Sequence, residues 1–377
     1  MFFAKADLLG GFMQRLMDVG EWKDGFESVR CLPTSNLDDH EPFGFRDGIS
    51  QPEIDWHQQY DASGAHVDYG NRVALGEFVL GYRNEYGKYT ERPLIDVDVA
   101  SKGLLAAEDA PDRKDVGRNG TYLVMRQLRQ DVRRFWQFLV EQANGNWAEA
   151  ERIGAAMVGR TRDGEPLVSL AQSHISGIAA REQDIEQNRF TYDSDPTGAA
   201  CPLGAHIRRA NPRNADYAGR PSMCVAQLVA SLGFGRNGFR DDLTSSVRFH
   251  RILRRGREYG TELSPDEALA PKPADEGERG LHFICLNANL SRQFEFIQNA
   301  WTMNSRFSGL TEENDATVGN PAAIAGCPST GRFTIPNDGG LRRRIAGIPQ
   351  FVDVRGGAYF FLPGLRALRY FTRVQPA

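Results

Sequence analysis

Asp47 stands between two glycines in the run Gly44-Phe45-Arg46-Asp47-Gly48-Ile49-Ser50-Gln51-Pro52. Glycines permit a tight backbone approach to a flat ligand, and the acid between them is then presented at a fixed angle. A plain turn with an exposed aspartate has the same spacing. The second segment is Cys201-Pro-Leu-Gly-Ala-His206-Ile-Arg208-Arg209-Ala-Asn-Pro-Arg213. Its histidine has small residues on one side and arginines on the other. Imidazole is the commonest axial ligand of haem iron, and guanidinium groups suit the propionates. A histidine satisfied within a polar surface fits the same residues. The third segment is Arg251-Ile-Leu-Arg254-Arg255-Gly256-Arg257-Glu-Tyr259-Gly260, where an alternating run enters a glycine turn and Arg254 could point into a pocket. Most arginines, by contrast, are solvated.

Other constellations are weaker. Gly233-Phe234-Gly235-Arg236-Asn237-Gly238 matches a dinucleotide fingerprint, but it follows a helix-like run rather than a strand. The Cys-Pro pairs at 201–202 and 327–328 raise thiolate ligation of haem, in surroundings that read as loops. His40, His57, His66 and His174 sit in polar stretches, and His250 and His282 in strand-like runs; no pair has the i, i+4 spacing of a helical metal site. The five cysteines are widely spaced without a CxxC pair, which argues against a disulfide framework or a structural zinc site and favours a reducing compartment.

The elements that must position these residues follow from periodicity. Residues 6–18 read as an amphipathic helix, and 32–75 as a long ordered loop. TYLVMRQL at 121–128 reads as a buried strand. Val132, Phe135, Trp136 and Leu139 share a helical face, and a second helix runs from Trp147 to Val158. The polar, turn-rich stretch 101–120 is placed as a linker. Residues 160–220 read as mostly loop, SMCVAQLVASLGF at 222–234 as an apolar helix or buried segment, RFHRILRR at 247–255 as a strand, and GLHFICLNANL at 280–290 as a stronger one. Ser291 offers an N-cap for a helix carrying Phe294, Ile297 and Trp301 on one face, and GAYFFLP at 357–363 reads as a last strand. This order suits an α+β sandwich with antiparallel pairing.

Composition sets outer bounds. The 377 residues carry 45 basic and 49 acidic side chains, a net charge of −4, with 41% apolar and 25% charged residues. That is ordinary globular composition, and it gives no electrostatic reason to expect a nucleic-acid or membrane-surface partner. No apolar run approaches the roughly 18 residues of a membrane helix. The first twenty residues do not read as a signal peptide, so a cytoplasmic location is expected, with an export signal upstream of Met1 left open.

Taken in order, GFRDGISQP at 44–52, GEFVLGYRNEYG at 76–87, NGTYLVMRQLRQDV at 119–132, CPLGAHIRRANPR at 201–213, ILRRGREYG at 252–260, GLHFICLNANLSRQFEFIQNAW at 280–301 and GAYFFLPGLRAL at 357–368 resemble the dye-decolorising peroxidase family in its longer-chain form. The resemblance implies two ferredoxin-like α+β domains of the dimeric α+β barrel type, expected here over 1–115 and 116–377, with haem b in the second. His206 resembles the proximal iron ligand, Asp47 the distal acid–base group and Arg254 the distal arginine. Leu281 and Phe283 resemble the apolar screen of the distal face. Arg208 is taken as the propionate partner. Asp315 resembles the carboxylate that orients the histidine, although alanine follows it where the family often has proline. Forty-three residues precede Gly44, fewer than the family pattern, so the first domain is expected to be incomplete.

The implied function is a haem peroxidase that reduces hydrogen peroxide and oxidises organic donors such as dyes or phenolics. The base takes a proton from peroxide and returns it to the leaving oxygen, while the cation stabilises the charge developing there. A carboxylate, with a reference pKa of about 3.9, remains a base where histidine at about 6.5 is protonated, so an acidic optimum is expected. Tyr122, Trp136 and Trp301 are candidate electron relays by residue type, with core packing as their default role. A haem-binding or haem-transfer protein with little turnover is the alternative, and a homo-oligomer is left open.

Overall fold

The computed structural model describes residues 6–19, 31–58, 71–168, 187–188, 190–192, 194–213, 246–322, 331–337 and 340–373. The fingerprint at 233–238, the segment 222–234, Cys224, Cys327, His66 and His174 lie outside the described residues. The chain divides into two units, Met1–Thr34 and Ser35–Ala377. The first contains α1, Ala6–Met17, as the helical periodicity predicts.

In the second unit the principal sheet is antiparallel and has five strands. Strand β5, Thr121–Gln130, pairs with β11, Val352–Leu362, on one side and with β8, Gly280–Asn287, on the other. The short strands β6, Leu253–Arg254, and β7, Arg257–Tyr259, both pair with the far edge of β8. Two-stranded pairings join β1, Glu53–Asp55, to β2, Arg72–Ala74, and β3, Leu94–Asp96, to β4, Arg113–Asp115. A further antiparallel pair is made by β9, Arg332–Ile335, and β10, Arg343–Ala346. Helices α2, Val132–Gln142, and α3, Trp147–Val158, begin where predicted. Asp131 and Asn146 cap them by accepting the Arg134 and Glu149 N–H groups. The remaining α-helices among the described residues are α4, His206–Ala210, α5, Pro265–Leu269, and α6, Leu365–Phe371. The architecture is α+β, the class expected, with every pairing antiparallel among the described residues except the parallel β1–β2 pair.

The main core gathers Phe135, Trp136 and Leu139 of α2 with Ile153 and Met157 of α3, and with Phe333, Ile345 and Phe351. Phe43 and Phe45 enter the same cluster from the loop before Asp47, and Ala316 enters it beside Asp315. Burying two phenylalanines contributes roughly 3–6 kcal/mol, which anchors the loop from inside.

Three expectations are corrected. The stretch 101–120 is packed structure rather than a linker: Arg92 donates to both Asp115 and Asp109, at 2.7 and 2.5 Å, and β4 pairs with β3. The strand expected over 247–255 shrinks to Leu253–Arg254, because residues 246–250 turn as a 3-10 helix and Gln293 Nε2 takes the Arg251 carbonyl. Ser291 does not cap the following helix. Asn289 accepts the Arg292 N–H at 2.8 Å instead, and Gln293 Oε1 accepts the Ala288 and Asn289 N–H groups. That helix is π-wound over Ser291–Glu295 and Ile297–Thr302, yet Phe294, Ile297 and Trp301 are all buried, as their spacing predicts.

Candidate active site

Asp47 sits on a loop closed at several points. Glu41 N–H donates to the Phe45 carbonyl and Gly44 N–H to the Glu41 carbonyl. Arg46 N–H donates to the Arg162 carbonyl, and Asp47 N–H to the Asp39 carbonyl at 2.9 Å. Gly44 and Gly48 take φ of 90° and 85°, the left-handed region in which a side chain is strained, so the bracketing glycines are required by the turn itself. Phe43 and Phe45 point into the core, and the Asp47 carboxylate is left to meet Arg254.

Arg254 reaches the site from the end of β6. Its Nη1 donates to Asp47 Oδ1 at 2.7 Å, and its own N–H is held by Gln51 Oε1 at 3.1 Å. Arg254 pairs with Cys285 across the ladder, so its side chain shares a face of the sheet with Leu281 and Phe283. Phe283 packs against Phe294 of the π-helix, with ring centroids 5.9 Å apart. Burial opposes ionisation of Asp47. The Arg254 charge, the Gly48 N–H and the Arg254 hydrogen bond outweigh it and hold the carboxyl below its ordinary range.

His206 is the first residue of α4. Glycine at 159, in the left-handed C-cap of α3 with φ of 97°, lets this helix approach: a Cβ there would lie 2.5 Å from the Ile207 side chain. His206 Nδ1 and Asp315 Oδ2 are 2.8 Å apart. The other Asp315 oxygen accepts from Thr317 N–H, Thr317 Oγ1 and Val318 N–H. Burial works against protonation of His206, but the Asp315 charge and hydrogen bond prevail and raise its pKa. Burial likewise opposes the Asp315 charge, and His206, Arg209 and Thr317 hold its carboxyl well below the usual range. Nδ1 is thereby committed, and Nε2 has no hydrogen-bond partner among the described residues.

The two halves face each other electrostatically. The charges of Asp47 and Arg254 both act on His206, and that of His206 acts on Asp47. The side chains of Arg254, Asp47 and His206 keep 28, 29 and 32% of their surface open, while Phe45, Leu253 and Ala205 beside them are buried. Three polar side chains thus stay partly open beside a packed shell.

Arg208 is not placed for the propionate role. Its guanidinium is buried, donating to Asp195 Oδ2, the Cys201 carbonyl and the Asp195 carbonyl, and it lies 4.2 Å from the Tyr192 ring centroid. Cys201 is also buried, and burial pushes its thiol up to about 12, which disfavours the thiolate that ligation needs. Trp136 and Trp301 are buried as well. Trp136 Nε1 donates to the Phe43 carbonyl, and Trp301 packs against Phe296 and His250. Tyr122 is half-buried against Phe361.

Several supporting residues carry no signal in the sequence beyond their place in a motif. Arg209 is fully buried and donates to the carbonyls of Gly204, Trp301, Asn304 and Glu313, tying α4 to the π-helix and to the segment holding Asp315. Gln51 fixes the Arg254 backbone, and Thr317 fixes Asp315. Glu41 gathers the turn before Asp47.

No protein-family model matches the chain. It is 31% identical over 358 residues to a multifunctional dye peroxidase of Amycolatopsis sp., covering 92% of this chain and 64% of that protein. It is 30% identical over 344 residues to a dye-decolorizing peroxidase of Auricularia auricula-judae, covering 87% and 55%. The chain therefore spans about half to two thirds of the length of these curated relatives. A solved structure of a dye-decolorizing peroxidase from Auricularia auricula-judae superposes with a TM-score of 0.65 at 25% identity, over 97% of this chain and 72% of that one.

Proposed function

Because the chain belongs to the dye-decolorising peroxidase family, we propose that it is a haem peroxidase, reducing hydrogen peroxide and oxidising organic donors such as dyes or phenolics. The observation that carries this is the pairing of a hydrogen-bonded Asp47–Arg254 couple with an imidazole whose Nδ1 is committed to Asp315 and whose Nε2 is left over. The donor set fits haem b. One imidazole is too few ligands for a bare ion, and a carboxylate behind a ligating histidine fixes its tautomer and strengthens it as a donor.

His206 would hold the iron through Nε2, with Leu281 and Phe283 as the apolar screen on the face of the sheet that carries Arg254. Bound haem supplies the electrons that reduce peroxide and recovers them from the organic donor. Asp47, kept ionised by Arg254, accepts a proton from one peroxide oxygen and delivers it to the departing one. Arg254 offers its guanidinium to the negative charge that gathers on the departing oxygen. Arg209 and Thr317 keep Asp315 aimed at Nδ1. A haem carrier without turnover leaves the Asp47–Arg254 pair without a task, and the matched relatives bear peroxidase names.

Asp47→Asn separates the two. Peroxide-dependent dye oxidation by the haem-loaded chain is expected to fall about 10²–10⁴-fold, the range lost with a general base, while the haem absorption band stays. Unchanged turnover in that variant contradicts the assignment.

A further inference from the structure

We propose that Glu41 is a positioning residue for Asp47: its carboxylate organises the turn that presents Asp47, and its charge modulates, beside the dominant Arg254, how readily Asp47 takes a proton. This rests on the peroxidase assignment above and deepens it.

Glu41 Oε2 accepts from Phe43 N–H at 3.0 Å and from Gln130 Nε2 at 2.6 Å, and Oε1 accepts from Phe45 N–H at 3.0 Å. The carboxylate therefore bridges two alternate turn amides, those flanking Gly44, to the last residue of β5. Gln130 is itself fixed, its N–H donating to the Arg279 carbonyl. Both phenylalanines whose amides are gathered belong to the main core, and Asp47 lies two residues beyond. All three contacts are donors to Glu41, an arrangement made for the ionised form. Protonation uses one oxygen as a donor and weakens the clamp.

Its own loop carries Asp38, Asp39, His40, Arg46 and Asp47; His40 Nδ1 meets the Asp38 carbonyl and its backbone bridges Arg46. Arg162, from the loop after α3, reaches the Gly44 carbonyl and is paired with Glu151. On the β5 side Arg129 is paired with Asp353, and Arg279 with Glu276. The π-helix and α2 contribute no charge to its hydrogen bonds. Burial is the dominant influence and pushes the Glu41 carboxyl up to about 7 against the pull of its three donors, and the Asp47 charge pushes the same way. Coupling of this kind is mutual. Ionised Glu41 raises the proton affinity of Asp47, and neutral Glu41 lowers it. Glu41 exchanges its proton with solvent and takes no part in the transfer to peroxide.

The test is the second-order rate constant with hydrogen peroxide for the haem-loaded full chain between pH 4 and 9, read beside an infrared titration of the carboxylic-acid band. The wild type is expected to show a rise of about two- to five-fold centred near neutrality, the scale of a modest change in base strength. Glu41→Gln is expected to lose that rise and stay at the acid-side value. Gln130→Leu removes one donor but keeps the carboxyl, and is expected to move the rise to higher pH. In the infrared, subtraction of Glu41→Gln from wild type isolates the Glu41 band from that of Glu77, and Asp47→Asn is expected to lower its midpoint. An unaltered step in Glu41→Gln, a uniform loss with unchanged profile shape, or a Glu41 midpoint indifferent to Asp47→Asn overturns the proposal. A wild type that binds haem but never reacts with peroxide overturns the peroxidase assignment, and this proposal with it.

Discussion

At the residue scale, Arg254 governs both the charge and the aim of Asp47. Its loss removes the chief force holding that carboxyl below its ordinary range, against burial that pushes upward. Asp47 is then expected to protonate at higher pH. In Arg254→Leu the acid limb of the peroxide rate shifts upward, and the plateau falls by roughly 10–10³-fold, as when a preorganised electrostatic partner is removed. The sign follows from the folded state: a base with a lowered pKa stays available in acid until the pH drops through that value. Stopped-flow profiles of both proteins read it directly, and coincident acid limbs would contradict it. Asp47, His206, Arg254 and Asp315 could be singled out in the sequence through the ordered motifs that resemble the family, Asp315 in an imperfect one; local spacing alone left each with an ordinary structural reading. Arg208 was misread because its residue type gives no direction; the fold turns it inward to Asp195 and Cys201. Glu41 was passed over because a glutamate before proline looks like surface until Phe43, Phe45 and Gln130 are seen to converge on it.

At the element scale, the proximal side depends on a five-residue helix, α4, too short to be stable alone. Arg209 supplies the tertiary anchorage, with four carbonyl partners spread over the preceding loop, the π-helix and the segment leading to Asp315. Arg209→Ala leaves those acceptors buried without their donor, and hydrogen bonds to charged groups are worth about 1.5–3 kcal/mol each at most. A destabilisation of about 3 kcal/mol and a loosened His206 are expected, measured by denaturant unfolding together with haem retention. A variant that matches wild type in both would contradict this role. Helices α2 and α3 could be read from period and caps because their apolar stripes face one core. The run 247–255 could not. Its alternation imitates a strand, but Gln293 and Arg292, some forty residues on, engage its backbone, and no local pattern encodes that.

At the scale of the whole molecule, buried carboxylates set the pH dependence of stability. Glu77 is fully buried beside Glu85 and Arg292. Burial raises its carboxyl to about 7, even though Arg292 pulls the other way. A raised acid contributes stability that is present below its unfolded value of 4.5 and is lost as pH rises through about 7. Glu41 adds in the same sense. The thermal midpoint is therefore expected to drop by several degrees between pH 5.5 and 8.5, at roughly 1–2 °C per kcal/mol for a chain this long. Glu77→Gln should flatten that slope, while costing stability at both ends through the lost Arg292 pairing. Scanning fluorimetry across the range decides it, and a midpoint that climbs with pH would contradict it. The packing of 101–120 was hidden from the sequence for a related reason. Its polar residues look like a linker, and partners from outside the stretch turn it into structure: Arg92 takes Asp109 and Asp115, β3 pairs with β4, and Ala367 packs with Leu104 and Val116.

The most direct measurement is the absorption spectrum of the chain reconstituted with haem b, wild type against His206→Ala. The wild type is predicted to give a histidine-ligated spectrum, and the alanine variant to lose it and regain ligation when imidazole is added. A His206→Ala protein that keeps the wild-type spectrum without added imidazole would show that the iron is held elsewhere.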